Sequence, residues 1–147
     1  MQPSGLYLGV DAGAALMPGE GALGTMSAAT FGGHAGYRLP SGLAFDLRGD
    51  DLGVSVPDGG PLIAGGAGMR YTVPLLIMPF AEAHFGALGY GPHVSAAADV
   101  GLGLALPVGN HLEFDLTARD WIADVDSTIR HTAAFTLGFA VGFDQGR

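Results

Sequence analysis

The side chains able to do chemistry in this chain are spaced in twos. Asp46, Arg48 and Asp50 form one such run, Glu82 and His84 another, Glu113 and Asp115 a third, and Arg119 follows in the same parity. Asp11, His34, Arg38, Arg70 and Asp99 stand singly in segments that alternate in the same way. On one side of an extended chain, such groups offer bidentate Arg–carboxylate pairing, acid–base work by a histidine beside a carboxylate, or metal ligation. His34 and His84 fall on separate segments without ligand spacing, so no metal and no other cofactor is expected. An isolated buried charge costs several kcal/mol, so acids and arginines confined together must pair. We therefore expect Asp11, His34, Arg38, Asp46, Arg48, Arg70, Glu82, His84, Asp99, Glu113, Asp115 and Arg119 to form one network plugging a narrow interior.

The elements that must position this network are eight stretches of period-two alternation, the pattern of strands with two unlike faces. They run over Leu6 to Leu16, Phe31 to Leu39, Leu43 to about Val54, about Ile63 to Val73, Phe80 to Leu88, Val94 to Leu106, His111 to about Trp121, and Phe135 to Phe143. In the last, a bulky apolar residue occupies every odd position. One face of each stretch is apolar, and the other is as much Gly and Ala as charge. A barrel of eight strands has room inside for few long side chains, so glycine belongs there. Strands of about ten residues at roughly 3.3 Å each, tilted near 45°, rise about 24 Å, the height of the apolar band of membrane barrels.

Composition supports the same reading. The 26 glycines and 9 prolines argue against long helices, and 147 residues suit a single domain spanning 1–147. Charged residues are only 14% of the chain, against about 25% in an average soluble domain, and all six basic residues are arginine. A net charge of −8 without a basic patch excludes nucleic acid as a partner. Cysteine is absent, which removes disulfides and thiolate sites. No apolar run reaches the length of a transmembrane helix. Met1-Gln2-Pro3-Ser4 has neither the basic nor the apolar part of a signal peptide, so an exported form would have had one removed.

Connections alternate in kind. Pro40-Ser41-Gly42, Pro74 to Pro79 and Pro107 to Asn110 are compact and proline-marked, whereas Met17 to Ala29 and Ser55 to Pro61 are longer and rich in Gly and acid. Two further connections on the longer-loop side, near Gly89 to Pro92 and Val125 to Thr128, are expected to be short. Short turns on one rim and loops on the other is the layout of an outer-membrane barrel. Rings favour the two membrane interfaces, so Phe31, Tyr90, Trp121 and Phe135 are expected towards the outer rim, and Tyr37, Phe45, Tyr71, Phe114 and Phe143 towards the periplasmic one. Glu20, Asp51, Asp58, Asp124 and Asp126 read as loop acids, solvated or bridged by divalent cations to lipopolysaccharide phosphates.

Two segments carry a family resemblance. Leu104 to Trp121, LALPVGNHLEFDLTARDW, followed by Arg130 to Phe143, RHTAAFTLGFAVGF, resembles the closing strands of the small OmpA-like outer-membrane β-barrel superfamily. The resemblance implies an all-β, eight-stranded antiparallel up-and-down transmembrane β-barrel in the bacterial outer membrane. It also implies insertion by the barrel assembly machinery, with Phe143 as the terminal aromatic. Asp144 to Arg147 follow that Phe, whereas the family usually stops on it.

The function expected is a structural or interaction role in the envelope, without enzymatic activity, in contact with outer-membrane lipid, lipopolysaccharide and other envelope proteins. Seven inward acids against four arginines motivate a narrow, weakly cation-favouring pore as an alternative. His93-Val94-Ser95 is similar to the His-x-Ser pair of lipid A deacylase barrels, with Glu113 as the candidate acid. These residues share the inward parity of Asp99, however, and an enzyme acting on lipid needs its nucleophile outside. A soluble lipocalin-like barrel, with the apolar stripe turned inward, is the remaining alternative.

Overall fold

The computed structural model describes residues 4–18, 26–56, 60–90, 92–125 and 127–144. Eight strands follow one another: β1 (Gly5–Met17), β2 (Met26–Arg38), β3 (Leu43–Val56), β4 (Gly60–Thr72), β5 (Met78–Tyr90), β6 (His93–Val108), β7 (Leu112–Val125) and β8 (Thr128–Asp144). Each pairs antiparallel with the next, and β8 closes on β1 from Gly5↔Asp144 to Leu16↔Ala133. Closure leaves neither β1 nor β8 as a sheet edge, so in the paired stretches the backbone polar groups are satisfied without water.

Alternation sets which residues face out. Leu8, Phe45, Leu47, Phe85, Leu102 and Leu137 are exposed on the outer wall, Leu47 at 66% and Phe85 at 70% of their full surface. Asp46, Arg48, Arg70, Glu82, Asp99 and Arg119 are buried inside. This is the reverse of a soluble barrel, whose large apolar side chains fill the core.

The strands are longer than alternation alone suggests. β2 begins at Met26, five positions before Phe31, because Ser27, Ala28, Ala29 and Thr30 pair with β1 without a bulky apolar stripe to announce them. β3 runs through Val56 across a register shift between Asp51 and Ser55, where Gly53 adopts φ 64° and its N–H bonds the Asp51 side chain at 2.9 Å. That is the behaviour of a β-bulge, an extra residue absorbed by a left-handed glycine. The Met17–Ala29 and Ser55–Pro61 loops are therefore shorter than expected, and Asp51 and Asp124 lie in strands. Glu20, Asp58 and Asp126 lie outside the described residues. The connections 91–92 and 126–127 are two residues each.

On the opposite rim, the 39–42 turn closes through the Gly42 N–H to Leu39 carbonyl bond at 3.1 Å, with Gly42 at φ 86°. At the 73–77 turn, the Val73 N–H donates to the Pro79 carbonyl at 2.9 Å.

Candidate functional site

The barrel interior is layered. Nearest the turns, two small apolar clusters, Tyr7 with Ala44 and Ala140 and Met78 with Phe80 and Ala105, share their level with the Arg38–Glu113 pair. Charged residues continue through the middle. Nearest the loops, Met17, Leu52, Leu62, Leu88 and Trp121 pack with five alanines.

The charged layer starts from Arg38 at the end of β2, whose Nη1 and Nη2 donate to both Glu113 carboxylate oxygens at 3.0 Å each. This fork geometry is the strong form of the Arg–carboxylate contact. Arg70 reaches the same carboxylate through Nη2 at 2.9 Å and grips Asp115 with two bonds of 3.0 and 3.2 Å. Its guanidinium carbon lies 3.5 Å from the Phe80 ring centroid, a cation–π contact, and Arg38 lies 5.1 Å from the Tyr7 ring centroid.

From Tyr7 the network climbs through the centre. The Tyr7 hydroxyl donates to Asp46 at 2.7 Å, and His84 stands between Asp46 at 2.8 Å and Asp99 at 3.0 Å. A carboxylate only accepts, so both imidazole nitrogens meeting carboxylates is an arrangement that the imidazolium satisfies. Arg119 joins Glu82 through Nε at 3.0 Å and through Nη2, and approaches Asp99 at 3.6 Å. Above it, Asp50 takes Arg48 Nε at 2.9 Å and the Trp121 indole N–H at 3.0 Å. Arg48 continues to Asp11 at 2.6 Å, and His34 lies 3.4 Å from Arg48.

All twelve residues named from the sequence thus lie in the interior, each paired with at least one other of the set; the pairs fall into a turn-side group of Arg38, Arg70, Glu113 and Asp115 and a central group of the rest, with Tyr7 between them. Glycine makes the space for this: a Cβ on Gly36 would meet Asp46 Cβ at 2.6 Å, and one on Gly101 would meet Glu82 at 2.9 Å.

Of the rings expected at the interfaces, Phe31, Phe45, Tyr71, Phe114, Phe135 and Phe143 are exposed on the outer wall, with Tyr37 at the edge of exposure, and Phe85 and Phe139 join them there. The side chain of Tyr90 lies outside the described residues. Trp121 is a correction: it is not an interface ring but an interior one, 1% exposed. It shares the parity of Thr117 and Arg119, and a bonded indole N–H is satisfied inside. Tyr7, Asp50 and Phe80, which complete the network, carry the same signal of inward parity. No deacylase-like triad forms, because Glu113 pairs with Pro107 near the turns whereas His93 and Ser95 lie at the loop end of β6. Among the described residues, no group of acids and histidines could hold a metal ion.

No protein-family model and no curated protein matches the chain. Solved structures do. The neisserial surface protein A (NspA) superposes with a TM-score of 0.76 at 20% identity, covering 97% of this chain and 100% of that one. The fold is that of small outer-membrane barrels. Two more such barrels agree. The N-terminal barrel domain of Pseudomonas aeruginosa OprF gives a TM-score of 0.67 at 14% identity, over 95% of this chain and 99% of that one. The attachment invasion locus protein Ail of Yersinia pestis, in complex with the heparin analogue sucrose octasulfate, gives 0.61 at 10%, over 97% and 100%. At these identities the likeness is one of fold, and the same eight-stranded barrel is built here on a different sequence.

Proposed function

We propose that this protein spans the bacterial outer membrane, its lumen sealed by the arginine–acid network, and serves the envelope as a structural or interaction protein through its outer wall and loop rim. The single observation that carries the reading is the inverted barrel: bulky apolar side chains exposed outside, paired charges buried inside. In bilayer hydrocarbon that distribution is favourable, and in water it is not. The loop-side apolar core supports a closed lumen over a pore, because Met17, Leu52, Leu62, Leu88 and Trp121 cover the charged zone towards the loops. The same features give no support to an enzymatic role.

Outer-membrane lipid and lipopolysaccharide are the surroundings this wall suits, and the barrel assembly machinery is the route that a closed barrel of this kind would take. Polyanion recognition of the sort Ail's complex displays has little basis in this chain. Of its six arginines, four are in the lumen network, and the acids Asp51, Asp120 and Asp124 face outward near the loops.

The test is refolding into liposomes beside the same chain in plain buffer, followed by circular dichroism and by gel mobility with and without boiling. A β-rich, heat-modifiable species that forms only with lipid is expected, with no discrete conductance steps in a planar bilayer. A monodisperse β-protein in buffer alone would overturn the membrane reading, and stable conductance steps would overturn the sealed lumen.

A further inference from the structure

Charge is unevenly shared along the lumen. The turn-side group is balanced, with Arg38 and Arg70 against Glu113 and Asp115. The central group, counted with Asp50, sets five acids, Asp11, Asp46, Asp50, Glu82 and Asp99, against two arginines, Arg48 and Arg119. The chain has no lysine, so a further cation at this level has to be a histidine.

His84 stands where that cation is needed. Its Nε2 meets Asp46 at 2.8 Å and its Nδ1 meets Asp99 at 3.0 Å, with all three residues 7% exposed or less. A neutral imidazole has one N–H, which would leave a ring lone pair facing the other carboxylate. The ring has no room to turn towards β4, where a Cβ on Gly68 would meet its Cδ2 at 2.5 Å. Asp99 has most to lose, since its only hydrogen bond among the described residues comes from His84, and Arg119 of β7 stays 3.6 Å away. The other charged or titratable neighbours are Glu82 on β5 itself, held by Arg119, and Tyr7 of β1, which donates to Asp46. Arg48 of β3, His34 of β2 and Arg70 of β4 act on these groups from further off. The inward residues of β8 from Thr132 to Ala140 carry no charge.

We infer that Asp46, His84 and Asp99 form a proton-held lock, in which an imidazolium clamps β3 and β6 to β5 in the middle of the lumen and the loss of its proton at alkaline pH loosens the barrel. Without that proton His84 donates to one carboxylate only, and the other is left buried without its donor. The substitution Asp99→Asn removes the conflict, because its amide N–H can donate to a neutral imidazole whose other nitrogen donates to Asp46. The lock rests on the sealed lumen proposed above.

The experiment is a reversible urea titration of the liposome-folded chain at about pH 6, pH 8 and pH 10, spanning the range above an ordinary histidine. Arginine does not titrate there, and lysine and cysteine are absent, so the response comes from histidines, tyrosines and the N-terminus. Asp99→Asn leaves every one of those in place. The unfolding equilibrium constant of the natural chain is expected to rise by at least about tenfold towards the alkaline end, the worth of one hydrogen bond to a charged group. Asp99→Asn should flatten that rise. Nitrogen NMR of histidine-labelled protein at neutral pH should show both ring nitrogens of His84 protonated, the signal being identified by its loss in His84→Gln. A flat response in the natural chain, a rise of the same size in Asp99→Asn, or a neutral His84 ring would each overturn the inference. If His84→Gln does not fold, the comparison of the natural chain with Asp99→Asn decides alone. A chain that forms no heat-modifiable barrel with lipid at any pH defeats the membrane reading itself, whereas a folded barrel without the alkaline rise defeats only the lock.

Discussion

Replacing Arg70 by Met removes a guanidinium that the lumen cannot readily replace. Arg70 is 2% exposed, makes both hydrogen bonds of Asp115 and one of Glu113, and stacks on Phe80. Glu113 keeps the Arg38 fork, so the loss concentrates on Asp115, left as a buried carboxylate without its counter-ion. Three hydrogen bonds to charged groups have a gross worth of about 1.5–3 kcal/mol each, but such contacts are not additive. Breaking one partner of a buried ion pair costs about 3–5 kcal/mol, and that is the expected loss. Arg70→Met combined with Asp115→Leu removes both charges and refills the space with hydrocarbon, which should recover stability to within about 1 kcal/mol of the natural chain. The assay is a reversible urea titration of the liposome-folded protein, followed through Trp121 emission and gel mobility. A cost below about 1 kcal/mol for Arg70→Met would refute the reasoning, because water would then be solvating Asp115 and the lumen would be wet at this level. A double variant as unstable as the single would trace the loss to packing on Phe80.

Three further outcomes follow from the same geometry. Phe85→Arg places a charge near the middle of β5 on the outer wall, where it should cost about 2–4 kcal/mol and reduce the yield of heat-modifiable barrel; an unchanged yield would mean that this wall faces water. Trp121 emission should resist quenching by acrylamide and by lipids brominated along their chains, and Trp121→Phe should cost about 1–3 kcal/mol by leaving Asp50 one donor short. Strong quenching by brominated lipid would return Trp121 to the outer surface. Gly101→Ala sets a methyl against Glu82, which Arg119 holds in place, and should destabilise by about 1–3 kcal/mol in the same titration; no change would show that Glu82 moves at no cost.

Much of this barrel is legible in its sequence, because period two is a direct record of which face a side chain occupies. Asp46, Arg48 and Asp50 could be placed inside from their spacing alone. Partners were another matter. Arg38 and Glu113 are 75 positions apart, and what brings them together is closure and stagger, which no local pattern encodes. Trp121 was misread for a different reason. Its parity with Arg119 pointed inward, but the habit of aromatic rings at membrane interfaces outweighed it. The early start of β2 was hidden because Ser27 to Thr30 carry no bulky apolar stripe.

The interior changes character along its axis, and the exterior changes with it. Over the lower and middle barrel, the outside holds Leu6, Phe45, Leu47, Phe114 and Leu116 while the inside holds paired charges. Towards the loops, Asp51, Asp120, Asp124 and His131 appear outside on β3, β7 and β8, and the inside becomes an apolar core of Met17, Leu52, Leu62, Leu88 and Trp121. Strands of 13–17 residues exceed the 9–11 or so that a tilted transmembrane strand needs, so part of each can stand clear of hydrocarbon. Where it does, water becomes the outer solvent and the usual rule of apolar inside and polar outside returns. The two halves of the lumen thus obey one principle applied to two solvents. The apolar core of the upper half closes the charged layer off from the loop side.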